Sequence, residues 1–436
     1  MQNGMRIICE YKPSEFTTIG FFLPAGAMYE MPEERGAALF TEHLLFRKTK
    51  CRTQEQLEDE LESIGGSLAA VAMRDMFLFY GTAPSKAVNK IVELLADVVL
   101  NGDTCDKDVT TERFVILREL FEMESNYEQV IIDYLPSLAY QDTELTKSIY
   151  PESCFIRNMC KEHMIRFRKR LFKPCFMTMV CTGGTSLRSI QQIASHYFLG
   201  LEQDSSIIQG DCQMRNSLNT PYYRFSGSEL RLRDDDEELG YVAVAVEGPG
   251  YENGQDHCAL TVAKQIVGSW DMTTGGGYHN APFLAHRAFK SDMCLLYKSF
   301  NIGWSNTGLW GCYFVCEKMK LEDMMYMLQR EWLRLSTTIT NKEVIRAVNQ
   351  CRTYELTRVN DPVNRFFDIA MCLFRCGRYE PLQQRIQKYE KVTADMIRDV
   401  ANKYIYDQSP AVVAVGRIEN LPDYVTICSG MYSFRL

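Results

Sequence analysis

The run Gly36-Ala37-Ala38-Leu39-Phe40-Thr41-Glu42-His43-Leu44-Leu45-Phe46 decides how this chain is read. Its alanines and leucines, uninterrupted by proline, suit a helix, on which residues four apart share a face. Glu42-His43 has the form of the second half of a His-x-x-Glu-His window. In such a window two imidazoles at i and i+4 grip a zinc ion, and the glutamate between them polarises a zinc-bound water. The place of the first histidine is taken by Leu39. A leucine has no lone pair to give a metal, so only half of the motif is present.

A third ligand of such a site comes from a separate helix. The stretch Thr111-Glu112-Arg113-Phe114-Val115-Ile116-Leu117-Arg118-Glu119-Leu120 offers two acids. Glu119 follows His43 by 76 positions, and Glu112 lies seven earlier, two helical turns up the same face. These residues, together with the surrounding stretches 41–53 and 112–130 and the run Ala139-Tyr140-Gln141, resemble the pitrilysin-like superfamily of zinc peptidases with the inverted motif. Within it they are similar to the branch of mitochondrial processing peptidase β subunits and cytochrome bc1 core proteins. Residues 262–281, with Gly275-Gly276-Gly277, and the tail segments 403–408, 421–424 and 429–431 are most similar to the core-protein-1 type. The likeness therefore extends over nearly the whole chain.

Carried over position by position, the resemblance implies that His43 and Glu119 are zinc ligands, that Glu42 is the general base, and that Glu112 is an acid supporting the site. With Leu39 in the first ligand's place the set is incomplete and Glu42 and Glu112 are vestigial. Core proteins of this branch commonly lack that histidine, whereas competent processing peptidases keep it. Changes even outside the ligand shell weaken metal affinity or activity by about 10 to 100 fold, so a lost ligand costs at least as much. No cofactor is expected, and zinc only if the site is still competent. Without a dication, Glu42, Glu112 and Glu119 crowd around one imidazole, like charges repel, and a protonated His43 is the expected counter-ion.

Composition bounds the remaining readings. A chain of 436 residues, 46% apolar and 11% aromatic, is long enough for more than one core. Net charge is −8 and the pI near 5.5, with no long run of Lys or Arg, which argues against a nucleic-acid surface. Sixteen cysteines are scattered without a Cys-x-x-Cys pair; Cys312/Cys316 and Cys372/Cys376 sit in apolar stretches, so free, mostly buried thiols are expected rather than a zinc ribbon. No apolar run approaches the roughly 18–20 residues of a membrane span. The first ten residues read as the approach to a strand, not as a signal peptide or an Arg-rich presequence. Mitochondrial residence is implied by the resemblance alone.

The two halves read as weak copies of one another. Residues 18–26 form an apolar strand closing on Pro24-Ala25-Gly26, followed by an acidic turn and the Glu42-His43 helix. Residues 240–250 repeat this, closing on Gly248-Pro249-Gly250. Aligning Gly26 with Gly250, 224 positions on, sets Leu39, Glu42 and His43 against Ala263, Ile266 and Val267, so the second copy has no ligands. Within the first half, 54–64 and 88–100 have helical periodicity, 67–81 suits one strand, 112–138 a long helical pattern broken near Pro136, and 177–184 a closing strand. The expected fold is α+β, with two homologous sheet-and-helix halves closing like a clam. Residues 1–202 form the first domain, 203–226 a polar linker and 227–436 the inactive repeat.

Other candidates carry less. The glycine run before Tyr278-His279 lacks the Gly-Lys-Ser/Thr ending of a phosphate loop and reads as a turn near a cavity mouth. His163, His196, His257, His279 and His286 share no ligand spacing. Asp234-Asp235-Asp236-Glu237-Glu238 lacks the glycine and alternation of an EF-hand and reads as a solvated turn. The methionines of 323–328 suit adaptable packing or an interface. Three functions follow from the resemblance. One is a non-catalytic core-protein-1-like subunit of the bc1 complex, peripheral on the matrix side of the inner membrane. Its implied partners are a core-protein-2-like homologue, cytochrome b, cytochrome c1 and the Rieske subunit. The second is the zinc subunit of a processing peptidase, paired with an α-type homologue. The third is a paralogue in a specialised assembly.

Overall fold

The computed structural model describes residues 1, 3–198, 223–274 and 282–432. Along the first part run β1 (Arg6–Tyr11), β2 (Phe16–Leu23), α1 (Ala37–Leu44), α2 (Gln54–Ser63), β3 (Ser67–Ala72), β4 (Phe77–Pro84), α3 (Val88–Asn101), α4 (Asp106–Glu124), α5 (Tyr127–Ala139), α6 (Ser153–Asn158), α7 (Lys161–Leu171), β5 (Thr178–Gly183) and α8 (Leu187–Phe198). The second part contains β6 (Glu229–Arg233), β7 (Leu239–Pro249), α9 (Gly254–Val267), β8 (Ser269–Asp271), α10 (Phe283–Ser291), β9 (Leu296–Gly303), β10 (Thr307–Glu317), α11 (Leu321–Thr337), α12 (Asn341–Arg358), α13 (Pro362–Cys376), α14 (Leu382–Glu390), α15 (Ala394–Tyr404), β11 (Ala411–Gly416) and α16 (Tyr424–Ser429). The expected mixture of sheets and covering helices is what these elements form. The glycine run, His279 and residues 203–222 of the expected linker lie outside the described residues.

One compact unit is built on a five-stranded sheet in the order β1-β5-β2-β4-β3, the other on a six-stranded sheet in the order β6-β11-β7-β10-β9-β8. In each, the strand that closes the repeat, β5 or β11, pairs parallel with an edge strand and antiparallel with a central one. Residues 67–81 are not one strand: the chain reverses at Met73, whose N–H donates to the Met76 carbonyl at 2.8 Å, and β3 and β4 pair as a hairpin. Asp75, at that reversal, is held by the Arg375 guanidinium. The long helical pattern after 106 breaks at Ser125-Asn126 rather than at Pro136, because the Asn126 side chain accepts the Gln129 N–H and starts a new helix. Pro136 stays inside α5.

The units do not follow the sequence halves. Unit one comprises residues 1–122, 147–219 and 358–379, and unit two the remainder. Each half lends one helix to the other's sheet: α13 packs on β2 and β5, while α5 packs on β7 and β11. The first sheet is thus covered on one face by α3 and α8 and on the other by α13. Phe366 and Ile369 of α13 join Phe22, Leu78 and Val180 in a fully buried cluster. Close approach explains Gly20 on β2, since a Cβ there would lie 2.7 Å from the Phe366 ring. The expected long helical pattern of 112–138 did not reveal this exchange, because periodicity does not report which sheet a helix covers.

In the second unit the larger core joins β7 and β10 to α9, α11, α12 and α15. Met324, Met325 and Leu328 of the methionine-rich run point into it, so that segment is packing on the side it buries. Cys312 and Cys316 lie four apart on β10 in the same core.

Candidate functional site

Helix α1 is short, eight residues, and its position rests on what holds its ends. Its N-terminus begins at Gly36 in the left-handed region, φ 92°, a conformation natural to glycine; a side chain there would also meet Pro151. Gly36 has no side chain to cap the helix. The cap comes instead from Glu30, whose two carboxylate oxygens accept the N–H groups of Gly36 (2.9 Å) and Ala38 (2.8 Å). The two bonds satisfy donors that a helix start otherwise leaves open, and the negative charge suits the helix dipole. Lys147 reinforces the same turn by donating to the Met28 and Glu30 carbonyls. Burial nonetheless pushes the Glu30 carboxyl up to about 7, against the pull of its two N–H donors.

Ala37, Ala38, Leu39, Phe40 and Leu44 bury the inner face of α1. Leu39 is only 2% exposed. Glu42 and His43 are turned toward α4. There the seven-residue spacing of Glu112 and Glu119 does what two helical turns predict. The His43 Nδ1 atom lies 3.0 Å from a Glu112 oxygen, and Nε2 lies 3.0 Å from a Glu119 oxygen. The expected four residues therefore converge. Glu42 accepts the Ala72 N–H from the end of β3 at 2.9 Å. Burial raises its carboxyl above the ordinary range, while Ala72 and His43 pull it back and Glu119 adds to the rise.

Three further groups were not anticipated. Arg47, one turn beyond His43, donates to Glu112 at 2.7 Å, and the Tyr150 hydroxyl donates to Glu119 at 2.9 Å. The Glu30 cap is the third. Arg47 was legible, since i+4 from a site histidine is a position on the same helical face. Tyr150 and Glu30 were not, because loops bring them in. The expected counter-ion was His43 alone; the structure adds the Arg47 guanidinium, and Glu112, with 4% of its side chain exposed, sits between His43 and Arg47. That arrangement satisfies a buried carboxylate without a metal.

The same geometry tests whether zinc fits. Two donors on a tetrahedral zinc with bonds of about 2.0–2.1 Å stand roughly 3.3 Å apart, close to the His43–Glu119 separation. Those two donors are well placed. The third is missing, because Leu39 presents hydrocarbon where a nitrogen is required and Glu112 is engaged with Arg47 and the other face of His43. Among the described residues no group of three or more His, Cys, Asp or Glu side chains is arranged to hold a metal ion. The residues present do not make a three-ligand zinc site.

Comparison with known proteins finds relatives along the whole chain. The family described as insulinase (peptidase family M16) matches residues 6–152, and the peptidase M16 inactive domain matches residues 158–351. The mouse mitochondrial cytochrome b-c1 complex subunit 1 is 38% identical over 435 residues, covering 100% of this chain and 89% of that protein. The bovine mitochondrial-processing peptidase subunit beta is 36% identical, covering 99% and 86%. A chain of the Candida albicans complex III2 structure with Inz-5 bound shares the fold, with a TM-score of 0.86 over 99% of both chains at 20% identity.

Proposed function

The chain belongs to peptidase family M16, with the N-terminal and the inactive C-terminal domain both present, and from that premise we propose that it is a catalytically degenerate, core-protein-1-like subunit of the mitochondrial ubiquinol–cytochrome c reductase (bc1) complex. Its role there is structural, at the matrix side of the inner membrane, with the first domain carrying a vestigial site and the second an inactive repeat. The observation that carries this reading is the His43 imidazole, pinned on both sides by Glu112 and Glu119 while Leu39 fills the place of the missing donor. A metal peptidase needs an ion that binds and activates water; this constellation spends its donors on each other. The full-length likeness to subunit 1 of that complex supports the same conclusion.

No helix among the described residues is long and apolar enough to cross a membrane, so membrane association in this reading comes through partners. Those partners are a core-protein-2-like homologue, cytochrome b, cytochrome c1 and the Rieske subunit. The processing-peptidase reading draws on a relative almost as similar and on the retained Glu42, His43 and Glu119.

One experiment separates the two. The tagged chain is purified from mitochondria in mild detergent, and its companions and zinc content are measured. Cytochrome b and the Rieske protein in the eluate, with zinc far below one per chain, support the structural subunit. An α-type homologue as sole companion, near-stoichiometric zinc, and peptidase activity abolished by Glu42→Gln overturn it.

A further inference from the structure

A second cluster of reactive side chains lies in the first sheet. Strands β1 and β5 run parallel, and their register sets Cys9 directly opposite Cys181. Directly paired residues project to the same face, and neighbouring strands are about 4.8 Å apart, inside the Cα separations of about 4.4–6.8 Å that a disulfide spans. The two thiols differ in access. Cys181 is fully buried on an interior strand, whereas Cys9 is half-buried on β1, an edge of the sheet.

We propose that Cys9 and Cys181 are a peroxide-oxidisable dithiol, in which Cys9 is oxidised first and Cys181 resolves it to a disulfide that staples the edge strand β1 to β5. The difference in access matches that division of labour. In the reduced chain the Cys9 thiol donates to the Thr185 carbonyl at 3.3 Å, and Cys181 stands opposite it across the strand pair. The Cys181 contact holds Cys9 below the ordinary thiol range, despite opposition from burial and Glu10; the same contact, together with burial, drives Cys181 upward. Cys9, the thiol that peroxide can reach from the sheet edge, is therefore the nucleophile, and the buried Cys181 resolves it. The core thiols Cys258, Cys294 and Cys351 contrast with it: burial pushes each up to about 12, where they remain inert.

The chemistry balances with hydrogen peroxide as the oxidant. The Cys9 thiolate attacks one peroxide oxygen; an S–O bond forms, the O–O bond breaks, and the leaving hydroxide takes a proton to become water. The Cys181 sulfur then attacks the Cys9 sulfur; the S–S bond forms, the S–O bond breaks, and the departing hydroxide takes the Cys181 proton as a second water. Two thiols lose two electrons, and peroxide gains them. Added thiols reduce the bridge by exchange, and the step reverses.

The test uses the full reduced chain. It is exposed to a small excess of hydrogen peroxide, capped with iodoacetamide, digested without reductant and examined by mass spectrometry. The expected product is a linked peptide pair joining Cys9 to Cys181, lost on adding dithiothreitol and lost in Cys9→Ser and Cys181→Ala. In Cys181→Ala, dimedone traps Cys9 as the sulfenic acid. The wild-type result requires no variant to fold. If peroxide oxidises other thiols while Cys9 and Cys181 remain separately capped, or if Cys9 advances to sulfinic acid with Cys181 still capped, the inference is wrong.

Discussion

Replacing Leu39 by histidine restores the donor that the site lacks and measures how much of the old metal centre survives. Leu39 is 2% exposed, so the substitution removes a buried aliphatic side chain that contributes about 1.5–3 kcal/mol. A partly unpartnered imidazole in its place adds about 1–3 kcal/mol. The metal-free variant is therefore expected to be roughly 2.5–6 kcal/mol less stable than the parent chain. Zinc should reverse part of this. The His43–Glu119 pair, 3.0 Å apart, has only to open by a few tenths of an ångström to admit an ion, and Arg47 keeps Glu112 in place beside the other ring nitrogen. At a free zinc concentration 100 times the dissociation constant, binding to the folded state contributes about 2.7 kcal/mol. The assay is urea unfolding in chelator and in zinc, alongside the zinc content of the dialysed chain. The expected outcome is a midpoint lowered in chelator and raised by zinc, with close to one zinc per variant chain and little in the parent. A folded Leu39→His chain that takes up no more zinc than the parent would refute the reasoning, since the surviving donors would then not be poised for a metal.

Three other outcomes follow from the same contacts. Glu112→Gln leaves Arg47 and His43 facing a neutral amide and should lower stability by about 1–3 kcal/mol in urea unfolding; combined with His43→Ala, the loss should be less than the sum of the two, and strict additivity would deny the coupling. Phe366→Ala empties the contact between α13 and the first sheet and should cost about 3–5 kcal/mol, with faster amide exchange in β2 and β5; a loss under about 1 kcal/mol would mean that the exchanged helix is not needed there. For Glu30, the folded-state value of about 7 lies above its ordinary 4.5, so the protonated form favours the folded chain. Its contribution is complete below pH 4.5 and is lost as pH rises through about 7, on the order of 3 kcal/mol. Glu30→Gln should flatten this dependence in thermal melts taken between pH 4.5 and 8; an unchanged slope would show that the buried carboxyl is not its source.

What could be read from the chain, and what could not, divides along physical lines. The site was legible because its parts are helical: i and i+4 on α1, and seven residues on α4, fix relative positions before any tertiary contact is known. The repeat was legible because strand-turn-helix order recurs in both halves. Tyr150 and the Glu30 cap were invisible, since a loop's destination is set by what it packs against and leaves no period in the sequence. The hairpin within 67–84 was missed because Met73-Arg74-Asp75-Met76 contains neither glycine nor proline; Arg375, from a distant helix, holds that reversal through Asp75. The exchange of α5 and α13 was missed for a related reason. Amphipathic patterns state that a face will be covered, and the covering sheet is a matter of topology.

That exchange constrains how the polypeptide can be made. One face of the first sheet stays bare until α13 has been synthesised, nearly two hundred residues after β5, while α5 waits for the whole second sheet to emerge. A nascent chain must therefore carry exposed apolar strands through most of translation, which makes it a client for chaperones. Expressing either sequence half alone would yield an insoluble fragment unless the complementary helix were grafted onto it.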